Sequence, residues 1–340
     1  MFEQNACFPI MIGDRIDRYF TESEVEYMHK KKIQPFFDFN RLLRFASFLA
    51  LLLISINLTG CSTGNDINRE EDTGKEETVQ EKTVNIAYVD WDSEVASTYV
   101  VKTIIEKELG YDCEVLSVPL TSLLESIAAG DQDATVSSWL PSLHKKHLEA
   151  HEDRVEILGP NFEGTFVGLA TPGYVTIESM DDLIHYKEEF GEKIIGIEPD
   201  AGIMEKTKEV FDEYNLHDHI TLVSGSESTM TKTLETAIEE QKPIIVTAWT
   251  PHWKFEKWDL KYLEDPKNVF GEEEHIATVV RENLHQDMPE VYDFLDHFYW
   301  RKKDIQRVML LIEEENKTPR EAAEIWVEEN KDLVDEWISP

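Results

Sequence analysis

The sequence predicts an α/β fold of two lobes, each a parallel sheet flanked by helices, with a cleft between them. Three observations predict it. From Val84 onward, strand-like and helix-like segments alternate, as parallel sheets require. A strand–helix–strand–helix–strand block occurs twice, and each copy finishes in Trp-x-Pro, at Trp139-Leu140-Pro141 and Trp249-Thr250-Pro251. Two apolar segments, VGLATP (167–172) and IATVVR (276–281), flank the second block and are suited to cross between lobes.

The elements follow in order. VNIAYV (84–89) is a short β-rich run, and Asp92 or Ser93 can cap a helix that continues to Leu109. In that helix Val101, Ile104 and Ile105 belong to an apolar face of mixed i+3/i+4 spacing. CEVLSV (113–118) is the next strand, carrying Cys113 as a small core residue. A helix over 120–129 closes at Gly130, and DATVSSW (133–139) completes the block. The second block reads KIIGIE (193–198), a helix from Gly202 to about Tyr214, and ITLVSG (220–225). A helix capped by Ser228 then runs to Glu240, before PIIVTAW (243–249). The last sixty residues are helical, over Met288–Phe298, Asp304–Glu314 and Thr318–Trp337. Thr318-Pro319 places proline at a first helical position. This tail is expected to pack on the first lobe, giving lobe one as 83–172 and 276–340 and lobe two as 173–275.

Before the body lies an address. Lys30, Lys31, Lys32, Arg41 and Arg44 precede the apolar run Phe45 to Leu58, whose 14 residues suit a signal-peptide core better than a membrane span. Leu58-Thr59-Gly60-Cys61 resembles a bacterial lipobox, which implies cleavage before Cys61 and lipidation of its thiol. Residues 1–60 are thus a signal segment, with Met28 a candidate start. Residues 61–82 are an acidic tether with too little apolar surface to order itself.

The 340 residues carry 33 Lys plus Arg against 69 Asp plus Glu, a formal charge of −36. That balance argues against nucleic acid as a partner. Three cysteines cannot make a disulfide framework. No GxSxG elbow, HExxH or phosphate loop appears, so the chain reads as a binding protein, not an enzyme, and no cofactor is expected.

Ligands of doubly wound sheets lie beyond the carboxyl ends of the strands. Trp91, Trp139 and Trp249 all follow such ends, two from lobe one and one from lobe two. An indole offers the best π-face to a cation, and a quaternary ammonium has no N–H to donate, so a cage of rings is the natural way to select it. A zwitterion needs its anion held as well. His144 could donate one hydrogen bond, and the free N–H groups of Gly202 and Ile203 at a helix start could supply more.

AYVDWDSEVAST (87–98), SSWLPSLH (137–144), GIEPDAGIM (196–204) and IIVTAWTPHWKF (244–255) resemble glycine betaine-binding proteins, the extracellular receptors of bacterial osmoprotectant ABC importers. The resemblance covers about residues 83–337. It implies a periplasmic-binding-protein-like fold of type II solute-binding proteins. It also implies a cage of Trp91, Trp139 and Trp249 around the trimethylammonium, with His144, Gly202 and Ile203 on the carboxylate. Permease and ATPase subunits are the implied partners, and a lipid anchor on the extracellular face of a Gram-positive-type membrane is the implied location. Asp200 stands where a small residue is expected. The alternatives are a receptor for choline or another betaine, and a zinc-binding lipoprotein using His144, His147 and His151 at i, i+3 and i+7.

Overall fold

The computed structural model describes residues 83–339, together with the backbone of two short strands, Phe8–Ile12 and Arg15–Phe20, which pair antiparallel. The two short strands and the body belong to different units of the chain. Apart from the two strands, the signal segment, Cys61 and the tether lie outside the described residues.

The body opens with β1 (Thr83–Tyr88), α1 (Asp92–Lys107), β2 (Asp112–Ser117), α2 (Leu120–Ala129) and β3 (Ala134–Leu140). β1 lies between β2 and β3 and is parallel to both. Every residue of β3 is buried, because helices or neighbouring strands cover both of its faces. α2 ends at Gly130, whose φ of +79° lies in the left-handed region that glycine enters without strain. After the one-turn α3 (Lys145–Glu149) comes β4 (Val155–Pro172), a strand of 18 residues.

β4 belongs to two sheets. Its residues 155–165 pair antiparallel with β9 (Glu274–Arg281), which in turn pairs antiparallel with β3. From Phe166 onward it pairs instead with β7 (Ile245–Thr250) and β8 (Leu260–Tyr262). The second sheet continues through β5 (Lys193–Ile195) and β6 (Thr221–Val223), both parallel, with β7 parallel to β5. Strand order across the whole is β2-β1-β3-β9-β4-β7-β5-β6, with β8 beside β4. Between these strands run α4 (Leu183–Tyr186), α5 (Gly202–Glu213), α6 (Glu227–Glu239) and the one-turn α7 (Lys254–Lys257).

The tail consists of α8 (Leu284–Asp287), α9 (Pro289–His297), α10 (Lys302–Glu313), α11 (Pro319–Glu329) and α12 (Lys331–Ile338). α10 and α11 pack on α1, so the tail does return to the first sheet. Its aromatics form one knot. Trp326 stacks on Trp337 with centroids 5.8 Å apart, and Trp300 and Phe298 meet them at steep angles. Trp300 N–H donates to Asn161 O at 2.6 Å, while Asn161 Nδ2 donates to Val136 O and Thr278 Oγ1, both at 3.0 Å. One buried amide thus joins the tail, β3, β4 and β9.

Four local expectations are corrected. The helix expected over Thr318–Trp337 is two, broken at Asn330, whose side chain turns back to Trp326 O at 2.8 Å. Ser226, not Ser228, caps α6, its hydroxyl accepting Thr229 N–H. Neither Asp92 nor Ser93 caps α1: Trp91 occupies that position, and no side chain bonds the helix start from its own strand end. IATVVR stays within the first sheet as part of β9, while the strand reaching the second sheet is the continuous β4.

Candidate functional site

Trp91, Trp139 and Trp249 line one cavity of about 310 Å³ of atom-free space, together with Leu143, His144, Val167, Ile197, Ala201, Gly202 and Ile203. All six residues expected at the site from the sequence therefore meet in one place. Asp200 is half-buried and does not line the cavity. The walls are almost wholly apolar, and all three indoles are buried.

Local geometry explains how each group arrives. Trp139 is the penultimate residue of the buried strand β3 and Trp249 that of β7, and the Leu140-Pro141 and Thr250-Pro251 peptides that follow are cis. Trp91 sits where β1 hands over to α1, its indole Nε1 donating to Glu198 Oε2 of the other lobe at 3.1 Å. Trp139 Nε1 donates to the buried Glu94 Oε1 at 2.8 Å.

His144 is held twice. Its N–H donates to Trp139 O at 2.9 Å, and its Nδ1 accepts Trp139 N–H at 3.1 Å. With Nδ1 an acceptor, the ring proton resides on Nε2. Burial pushes its pKa down to about 3, with His147 a lesser cause, so the imidazole is a neutral donor. At the start of α5, Met204 and Glu205 N–H both close on Ala201 O, which leaves the Gly202 and Ile203 N–H groups without an intrahelical acceptor. Gly202 is required sterically: a Cβ there would stand 2.6 Å from Leu143 O of the opposite lobe.

The structure also places residues that the sequence reading passed over. Trp253, buried in the core, donates its indole N–H to Asp92 Oδ2, and Asp92 N–H donates to Glu227 Oε2 at 2.9 Å. These bonds join the start of α1 to the second sheet's elements. His252 Nδ1 accepts Lys254 N–H at 3.1 Å, so its Nε2 carries the proton, 2.7 Å from Glu227 Oε1. Asp92, Glu227 and His252 thus form a buried group with the donor types of a metal site. Lys254 is buried beside the two carboxylates, whose charges favour its protonated form. Burial lowers the Lys254 pKa to about 7, against the opposing pull of Glu227 and Asp92. Its Nζ covers the Trp249 ring at 4.0 Å from the centroid. Nothing in the local sequence signals these cross-lobe contacts, since the partners come from elements more than a hundred residues apart. The three histidines weighed for zinc diverge: His144 faces the cavity, while His151 Nδ1 engages Arg154 Nη2 at 2.7 Å.

Among the described residues no helix is long and apolar enough to cross a membrane. Residues 82–329 match the family described as the substrate-binding domain of ABC-type glycine betaine transport systems. A glycine betaine/carnitine transport binding protein of Listeria monocytogenes is 44% identical over 156 residues, which is 44% of this chain and 52% of that protein. The chain thus spans about half the length of that curated relative. Among solved structures, a lactococcal protein in its closed form with glycine betaine is 41% identical with a TM-score of 0.72, over 76% of this chain and 100% of that one. A glycine betaine/L-proline-binding protein of Borrelia burgdorferi is 36% identical with a TM-score of 0.72, over 76% and 97%. A choline-binding protein in complex with choline is 25% identical with a TM-score of 0.70, over 76% and 91%.

Proposed function

Because the chain belongs to the family of substrate-binding domains of ABC-type glycine betaine transport systems, we propose that its cavity takes glycine betaine between the lobes. In this reading Trp91, Trp139 and Trp249 enclose the trimethylammonium. The His144 Nε2–H and the amides of Gly202 and Ile203 hold the carboxylate. The observation that carries it is the meeting of three indoles, one neutral imidazole donor and two unpaired helix N–H groups around a single apolar cavity. Each part suits one end of a betaine. A diffuse cation without N–H gains about 0.5–2 kcal/mol per ring, and an anion gains from donors at a helix start.

A ligand touching both lobes stabilises the closed form, which a permease with its ATPase can then distinguish from the open one. The family is one of transport substrate-binding proteins. Cys61 would carry the lipid that keeps the receptor at the outer face of the membrane. Mass spectrometry of the membrane-bound protein should find a diacylglycerol-modified Cys61, and a Cys61→Ala protein retained just as firmly would refute this.

Choline is the second reading, favoured by the match to the choline complex. Choline lacks the carboxylate and would leave His144 and both amides unpaired, a loss of about 1–3 kcal/mol. Calorimetric titration with glycine betaine and choline, followed in parallel by tryptophan fluorescence, separates the two. Tight betaine binding with weak choline binding supports the full assignment. Equal binding keeps the cage but removes the carboxylate site. Silence toward both ligands rejects the site.

A further inference from the structure

Glu94 is a buried carboxylate with no cation of its own. It is 1% exposed, in the first turn of α1. Its Oε1 accepts Trp139 Nε1 at 2.8 Å and the Ser93 hydroxyl at 3.4 Å, with the Ser137 hydroxyl beside it. All of these donors are neutral. Glu274 is also buried without a cation, but it takes two backbone N–H groups, from Ser142 and Leu143, whereas two other buried acids have cationic partners. Asp133 is bonded to the Arg281 guanidinium at 2.7 Å, and Glu227 lies beside Lys254 and His252. A carboxylate buried without a cation is destabilising, and natural folds keep one only when something else requires it. The indole it holds is a wall of the cavity.

Resting on the betaine reading above, we propose that Glu94 is a specificity-determining residue of this site. Its carboxylate, acting through the Trp139 indole, is the counter-charge for the ligand's cation. An indole N–H bonded to an anion moves electron density into the ring, which makes the face offered to a cation more negative. The buried charge is poorly screened and adds its own attraction across the ring. Glu198 stands in the same relation to the Trp91 indole. At Trp249 the arrangement is reversed, with the Lys254 ammonium over the ring. The three walls are therefore electrostatically unequal, and the trimethylammonium should favour the Trp91–Trp139 side. Glu94 is a positioning and charge-setting residue that touches no ligand itself.

The test uses two probes of one shape: glycine betaine, and 3,3-dimethylbutanoate, in which carbon replaces the cationic nitrogen. Calorimetry at about pH 8.5 on the wild type and on Glu94→Gln should show betaine affinity falling about tenfold in the variant, with no loss for the carbon isostere, an anion that lacks the cationic head. Equal loss for both probes makes Glu94 a purely structural residue and overturns the proposal, as does no loss for either. A wild type that fails to bind betaine rejects the underlying reading instead.

A second measurement survives a variant that does not fold. Burial pushes the Glu94 carboxyl up to about 7, so in the wild type the betaine-to-isostere affinity ratio should fall between about pH 8.5 and about pH 6. The Lys254 ammonium titrates in the same range near Asp92, Glu227 and His252, whereas His144 is neutral throughout. The fall must therefore persist in Lys254→Met. A flat ratio in the wild type, or a fall that vanishes in Lys254→Met, overturns the proposal.

Discussion

At His144 a single residue decides how an anion could be held without a charge. Its Nδ1 is committed to Trp139 N–H, so Nε2 must donate, and burial keeps the ring neutral far below physiological pH. His144→Ala should weaken betaine binding by about 10- to 100-fold and leave choline binding nearly unchanged, as measured by calorimetry. Trp249→Ala should weaken both ligands, by about 10- to 30-fold. Gly202→Ala should weaken both as well, since its Cβ meets Leu143 O and holds the lobes apart. Glu94 makes a prediction about stability. Its folded pKa is raised, to about 7, so the folded state holds the proton more tightly than the unfolded chain does. The stabilisation is then complete below about pH 4.5 and is lost as pH rises toward 7. In urea melts without ligand, Glu94→Gln should lack this loss. That the six candidate residues would meet at one cavity was legible in the sequence because strand ends, Trp-x-Pro and a glycine-led helix are local patterns. Glu94, Glu198 and Trp253 were not legible, because their meaning lies in partners on other elements.

Among the elements, the tail shows what local chemistry can specify. Thr318 and Glu321 form a reciprocal capping box, with Pro319 in the first turn of α11. Thr318→Ala should cost about 1 kcal/mol and lower the melting temperature by roughly 2–4 °C in a thermal melt. That helix start was evident from Thr318-Pro319. Its end was not: nothing in the apolar spacing marks Asn330, where the chain bends so that Trp337 can stack on Trp326. The start of α6 was misplaced by two residues because Ser226 and Ser228 are both good caps. Only the hydrogen bond from Thr229 N–H decides between them. The start of α1 lacks a side-chain cap of its own, and Glu227 from the other lobe accepts the Asp92 N–H instead. A helix end and a lobe contact are therefore the same bond.

For the whole molecule, charge and connectivity set the behaviour. A formal charge of −36 works against the compact state through self-repulsion, which salt screens over about 10 Å at 0.1 M. Raising sodium chloride from about 0.05 to about 0.5 M should raise the melting temperature; an unchanged or lower value would count against the charge as a burden on the fold. The two-lobed plan was legible from the repeated block, but the path between lobes only in part: VGLATP does belong to the crossing strand and IATVVR does not, since an 18-residue strand with two sets of partners reads in sequence as several short pieces. That strand has a mechanical consequence. Because β4 changes partners between Thr165 and Phe166 as one unbroken strand, with a bulge at Gly164 (φ +82°) just before the change, the lobes are joined by something nearer a torsion bar than a loose tether. Twist about its axis is the soft coordinate, so opening should follow a narrow track and return the same surfaces to register each cycle.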